Sequence, residues 1–167
     1  EILAKKGDPN KFVLPKPIFD KGGCNLSFSG LKTAIFKIAK KIKTKKEKFD
    51  LAASFQKTIN EILYKKTKIA FTEFEKKINL KEKKFVIAGG VAANKEIRNT
   101  LINLCKEKKY QPIFPPIELC GDNAAMIAMV GLEKFKKKFF NKLNFKVNPR
   151  WQLDEKAKFL KGAGVKI

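Results

Sequence analysis

VIAGGVAAN, residues 86–94, is the stretch whose reading decides the fold. With Lys84 and Phe85 before it, its first part reads as a buried strand over 84–88, apolar enough to be covered on both faces. Gly89 and Gly90 then make a double-glycine turn, and Asn94 opens a helix to about Leu104. Glycine admits positive φ and lets another group approach the backbone closely. The following helix offers unpaired N–H groups and the positive end of its dipole. Strand, turn and helix start together make a surface suited to a nucleotide or other polar ligand. Spacing alone favours the plainer reading, a tight connection with Asn94 as an N-cap. Two nucleotide motifs are excluded. The dinucleotide fingerprint needs G-x-G-x-x-G, and these glycines are adjacent. A P-loop begun at Gly89 would need glycine, lysine and a hydroxyl residue where Asn94, Lys95 and Glu96 stand.

Working outward, residues 1–23 carry Pro9, Pro15, Pro17, Gly22 and Gly23 and read as an irregular connection. Residues 25–28 suit a short strand, after which Ser29 can cap a helix from Gly30 to about Ile42. Leu31, Ala34, Ile35, Ile38, Ala39 and Ile42 line one face of it. The lysine-rich run 43–48 reads as a charged turn. A long helical stretch over 50–77, one helix or two, is expected to bury Leu51, Phe55, Ile59, Ile62, Leu63, Ile69 and Phe74. Beyond the central motif, 110–114 reads as a strand stopped by Pro115 and Pro116. A helix over 121–139 should turn Ala125, Ile127, Ala128, Leu132 and Phe135 mostly inward, onto the 85–88 strand. A basic tail occupies 141–167 and holds the only tryptophan, Trp151. The alternation of strands and helices predicts an α/β fold with helices packed on a mostly parallel sheet.

Composition bounds the function. A chain of 167 residues can bury a real core. It opens on Glu1, in residues that resemble a helix end, and so reads as a piece of a longer protein. The longest apolar runs, 85–93 and 124–132, have nine residues each, against about 20 for a membrane-spanning helix. No signal peptide or membrane span is recognised. Cys24, Cys105 and Cys120 are too few and scattered for a disulfide framework, which fits a reduced, cytoplasmic setting. The net charge of +22 suits a phosphate backbone. Yet only Arg98 and Arg150 among the 38 basic residues are arginine. Such lopsided lysine usage reads equally well as an A/T coding bias. There is no histidine, which removes His-based triads, His general bases and self-contained His metal sites.

The second site-like segment is ELCGDNAAM, 118–126, where another strand-to-helix loop becomes a helix. Asp122 is either an N-cap, the commoner role of such a residue, or a ligand for an oxygen-preferring cation. Cys120 lacks a histidine to activate it and reads as a small buried residue.

SFSGLKTA (27–34), FVIAGGVAANKEIRNTL (85–101), CGDNAAMIA (120–128) and NPRWQLDE (148–155) stand in the order and spacing of the TsaD family. The chain resembles the C-terminal half of a bacterial member over nearly all its length. That resemblance implies the C-terminal lobe of a two-lobed actin/Hsp70-like (ASKHA) ATPase fold, the N-terminal lobe lying outside this chain. It implies transfer of a threonylcarbamoyl group from threonylcarbamoyl-AMP to N6 of the adenosine next to the anticodon, in tRNAs reading codons that start with A. Asn94, with Gly89 and Gly90, matches the ligand-binding G-G-V-x-A-N motif. Asp122 matches the metal-binding aspartate of C-[TG]-D-N, with Gly121 where the family often has threonine. The family's paired metal-binding histidines, its S-G-G phosphate loop and a further ligand-contacting aspartate would lie before Glu1. The resemblance therefore implies one divalent metal per subunit, iron first, with zinc or magnesium as alternatives, and a stretch inactive by itself. Implied partners are tRNA, a TsaB-type paralogue and a TsaE-type ATPase, with no membrane. The older peptidase description of the family finds no H-E-x-x-H and no nucleophile–base pair here. Two other classes stand beside this one: a different actin-like ATPase or sugar kinase, and a non-catalytic nucleotide- or tRNA-binding module. Upstream H-x-x-x-H and S-G-G motifs would discriminate among them.

Overall fold

The structure is a computed structural model that describes residues 1–79, 81–144 and 146–147. They fall in two compact units, one of Glu1–Asn123 and a second that begins at Ala124. Beside short 3-10 turns, the first holds three α-helices and two strands among the described residues: α1 (Leu31–Ala39), α2 (Lys45–Lys77), β1 (Lys84–Val86), α3 (Lys95–Lys108) and β2 (Gln111–Ile113). The second contains α4 (Ala124–Lys136). β1 and β2 pair in parallel, with Lys84 opposite Gln111, Phe85 opposite Pro112 and Val86 opposite Ile113. Because α3 is the crossover between them, both strands run to the same sheet edge. The expected α/β class and parallel pairing are thus present in a two-stranded sheet.

α2 is one helix of 33 residues. It begins earlier than expected, because Thr44 and Glu47 form a capping box. The Thr44 hydroxyl accepts from the Glu47 amide at 3.1 Å, and the Glu47 carboxylate accepts from the Thr44 amide at 3.0 Å. The run 43–48 is therefore a helix start, not a free turn. Along α2 an i, i+4 ridge of Asp50, Ser54, Thr58, Ile62 and Lys66 is buried, and four of the five are polar. The irregular segment 1–23 covers that ridge and supplies partners to Asp50, Ser54 and Lys66, while the Thr58 hydroxyl donates to the Ser54 carbonyl within α2. The Asp50 carboxylate accepts from the Asp8 amide at 2.8 Å. The Ser54 hydroxyl accepts from the Phe12 amide at 3.1 Å. Lys66, only 2% exposed, donates to the carbonyls of Lys21 (2.8 Å) and Gly23 (3.2 Å). Burying such groups without partners would cost several kcal/mol, so the connector and the ridge specify each other.

Two apolar clusters flank this ridge. Leu14, Leu31 and Leu51 join segment 1–23 to α1 and α2, with Ile35, Ile38, Ile42 and Ile59 packed around them. Phe71, Leu104, Cys105 and Tyr110 join α2 to α3 and the entry to β2. There Phe71 stacks on Tyr110 at 3.9 Å and meets Phe85 edge-on at 4.9 Å. Burial pushes the Cys105 thiol's pKa up.

At the α2–α3 contact, Glu107 accepts from the Tyr64 hydroxyl at 2.5 Å and the Lys68 ammonium at 3.1 Å. These two donors hold its carboxyl below the usual range, the Tyr64 hydrogen bond first. A depressed folded pKa gives stability that is present above the unfolded value and lost as pH falls through the folded one. Glu107→Gln is therefore expected to blunt the stability loss below about pH 4. Urea midpoints at neutral and acid pH check this; parallel acid losses in both proteins would refute it.

Several expectations are corrected. No strand forms over 25–28, which has no pairing partner among the described residues. Ser29 does not cap α1. Gly30, at φ +79°, takes the cap position without a side-chain bond, while the Ser29 amide donates to the Ser27 hydroxyl. β1 ends at Val86, short of the expected 84–88, and is not covered on both faces: Val86 is 62% exposed, because a two-stranded sheet has no interior strand. On α2, Phe55 and Phe74 stand exposed while the polar ridge is buried. α4 starts at Ala124, not Gly121, and Ile127, Leu132 and Phe135 are exposed although their spacing predicted inward positions. Trp151 and the NPRWQLDE segment lie outside the described residues. Among the described residues no helix is long and apolar enough to cross a membrane.

Candidate functional site

The loops that follow β1 and β2 leave the sheet at one edge. In open α/β sheets, ligands gather beyond the carboxyl ends of strands. The first loop reaches Gly89, whose φ of +92° and ψ of 165° lie in a region open essentially to glycine alone. Residues Gly90–Ala93 then form one tight 3-10 turn. Asn94 caps α3, accepting from the Ile97 amide at 3.0 Å. The expected N-cap is present, and α3 runs on to Lys108.

The Asn94 amide is also held from the other side. Its Nδ2 donates to Gln56 Oε1 at 2.9 Å, and Gln56 Nε2 donates to Asn60 Oδ1 at 3.0 Å. This relay fixes which way each amide faces. Asn94 keeps one N–H and one oxygen lone pair uncommitted by these two bonds. No sequence signal pointed to Gln56, since it meets Asn94 only through packing of α2 beside α3.

A methyl group built on Gly89 or Gly90 meets nothing within 4 Å. The space above the turn is therefore open. Gly90 needs no special backbone angle, whereas Gly89 does. Gly89→Ala is expected to lose about 1–3 kcal/mol of stability through strain. Gly90→Ala should stay within about 0.5 kcal/mol of wild type. Urea melts of the two variants check the pair; equal losses would show that the Gly89 backbone relaxes.

The second loop passes through Pro115 and Pro116 to a buried Cys120 and an exposed Asp122. Cys120, 3% exposed, is the small buried residue expected; its Sγ lies 3.5 Å from the Pro116 carbonyl oxygen. Since α4 begins at Ala124, Asp122 stands one residue before the capping position, which Asn123 occupies. Asn123 Nδ2 donates to the Gly121 carbonyl at 2.9 Å. Asp122 is thus an exposed carboxylate on a loop shaped by its neighbours. Among the described residues no three metal-binding side chains converge. One carboxylate oxygen suits iron, magnesium or zinc as a single corner of a coordination shell, so a site here needs donors from outside these residues.

Arg98 connects the two loops. One turn into α3, it donates through Nε to the Ala92 carbonyl and through Nη2 to the Pro115 carbonyl at 3.0 Å. The same Nη2 lies 3.1 Å from Cys120 Sγ, and the guanidinium sits 4.6 Å from the Phe114 ring centroid. The site-like segments 86–94 and 118–126, separate in sequence, are thereby tied together. The signal that could have revealed this residue was its type, one of two arginines in a lysine-dominated chain.

The family described as TsaD: tRNA N6-adenosine threonylcarbamoyltransferase matches residues 1–129. This chain belongs to the TsaD family. It is 70% identical, over its whole length, to the tRNA N6-adenosine threonylcarbamoyltransferase of Pelagibacter ubique (strain HTCC1062), covering 47% of that protein. It is 49% identical over 158 residues to the protein of that name from Rickettsia rickettsii (strain Sheila Smith), with 93% of this chain and 46% of the relative covered. The Rickettsia bellii (strain OSU 85-389) protein is 48% identical over 157 residues, again covering 93% of this chain and 46% of the relative. The chain spans about half the length of the curated TsaD relatives it matches. The family resemblance drawn from the four motifs is thereby borne out.

Proposed function

We propose that this chain forms the C-terminal lobe of an actin/Hsp70-like (ASKHA) tRNA-modifying enzyme, with residues 1–23 as its connector and 141–167 as a basic tail. The whole protein transfers threonylcarbamoyl from threonylcarbamoyl-AMP to N6 of the adenosine beside the anticodon in tRNAs reading A-starting codons. The observation that carries this reading is the pairing of two loops at one sheet edge, in a chain 70% identical to a relative of that name. The protein works in the cytoplasm with a TsaB-type paralogue and a TsaE-type ATPase.

In this reading Gly89 and Gly90 leave backbone room for the nucleoside, and the remaining amide proton and lone pair of Asn94 orient it. Asp122 supplies one ligand to a divalent cation, iron first, completed by histidines outside this chain. Such a cation would supply Lewis-acid polarisation of a phosphate or carbamoyl oxygen. The N6 amine forms a bond to the carbamoyl carbon, the bond from that carbon to the AMP oxygen breaks, and the amine proton is lost to solvent or phosphate. Asn94 and the glycine turn contribute by positioning. Lysines of the surface neutralise tRNA phosphates without reading bases, which predicts strongly salt-dependent binding.

Gly90→Ala tests the assignment. Stability should be unchanged, because the added methyl points into open space. If the nucleoside approaches that backbone, AMP affinity of the full-length protein should drop by about tenfold or more, the scale of one lost good contact. Wild-type AMP affinity in the variant would place the nucleotide elsewhere.

A further inference from the structure

We propose that Arg98 is the positioning residue that sets the separation between the glycine turn with Asn94 and the loop bearing Asp122. The inference rests on the site reading above and adds a part that neither loop supplies alone. Three observations converge on it.

The first is connectivity. The Arg98 backbone amide donates to the Asn94 carbonyl at 3.0 Å, so its side chain is anchored one turn beyond the capping residue. From there it reaches Ala92, two residues before Asn94, and Cys120, two residues before Asp122. The second is geometry. The acceptors at Ala92, Pro115 and Cys120 lie on two chain segments, and the Phe114 ring lies against the guanidinium. A planar group with five N–H donors and a stacking face can meet such a set together; an ammonium on a flexible stem cannot. The third is residue choice. Of 38 basic residues only two are arginine. Where lysine serves nearly every surface role, an arginine with all these contacts marks a place where the fork itself is needed.

A nucleoside phosphate bound at this edge would touch both loops. Nucleotide and cation should then bind cooperatively, since each favours the loop spacing that the other needs. Arg98 maintains that spacing before either arrives.

The test is thermodynamic linkage in the full-length protein, titrating AMP with and without zinc, a redox-inert divalent cation. For wild type, zinc is expected to raise AMP affinity at least about fivefold. In Arg98→Ala that factor should fall to within about twofold of unity, and millimolar guanidinium, far below denaturing levels, should restore most of it. Arg98→Lys should fail to restore it, which keeps the test open if the alanine variant folds poorly. Cys120 should also become reactive toward a thiol reagent in both variants, as mapped by peptide mass. A purely structural arginine would lower the melting temperature but leave the zinc-to-AMP factor unchanged in the surviving protein. An unchanged factor in either variant, or a lysine variant with wild-type coupling, overturns the inference while leaving the site reading standing. So does wild-type protein that binds both ligands without coupling. Wild-type protein that binds neither AMP nor zinc overturns the site reading, and this inference with it.

Discussion

Asp122→Ala in the full-length protein should abolish threonylcarbamoyl transfer while leaving the fold intact. The exposed carboxylate precedes the α4 capping position, so its loss removes neither a cap nor a buried partner. A surface substitution of that kind shifts stability by about 0.5 kcal/mol or less. In the proposed ligand role, by contrast, its loss would remove far more from the reaction. A Lewis acid is worth several kcal/mol of transition-state stabilisation, and about 1.4 kcal/mol corresponds to tenfold in rate. Turnover should therefore fall by roughly 10²-fold or more. The competing account makes Asp122 a helix cap, with a loss of about 1 kcal/mol in stability and near-normal turnover. Metal content, melting temperature and turnover measured on one preparation separate the two. Retained metal with normal turnover rejects the ligand role.

Much of the site was legible because it is local. Gly-Gly after an apolar run, with Asn four residues later, announces a strand, a turn and a capped helix from neighbouring residues alone. β1, α3 and the Asn94 cap all appear where that punctuation puts them. The start of α2 was legible too, since Thr44-x-x-Glu47 is a capping-box signature, although the lysines around it read as a charged turn. Other features depend on partners far away in the chain. The buried polar ridge of α2 defeats any apolar periodicity, because Asp50, Ser54 and Lys66 take their partners 42 to 46 residues earlier. Val86 shows the opposite failure. An apolar run states that a strand is hydrophobic, not whether a second layer covers both faces. Arg98 reaches Cys120 22 residues further along the chain, and only its rarity hinted at it.

The irregular connector carries the second large prediction, at Gly7. A methyl group built there would lie 2.1 Å from the Phe49 carbonyl oxygen and 2.5 Å from the Asp50 amide nitrogen. Both are backbone atoms of α2, so no side chain can swing aside. Gly7→Ala must therefore lift the 4–8 segment away from the helix. Lifting it breaks the bond from the Asp8 amide to the buried Asp50 carboxylate, leaving Lys46 at 3.7 Å as its nearest cation. Overpacking typically costs about 1–3 kcal/mol, and a buried charge-assisted hydrogen bond about 1.5–3 kcal/mol. A combined loss of about 3–5 kcal/mol is expected. Gly22→Ala is the control, because its added methyl meets nothing within 4 Å and its φ is not positive. The consequence should reach the site edge. The Glu1 carboxylate accepts from the Lys95 amide at 3.1 Å, the first residue of α3, and Gln56 on α2 holds the Asn94 side chain. The connector thus touches both helices that present Asn94. Hydrogen exchange should show faster opening at Asp8, Phe12 and Lys95 in Gly7→Ala, with Gly22→Ala matching wild type. Unchanged exchange at Asp8 together with an unchanged urea midpoint would mean that the strap does not hold α2 in solution.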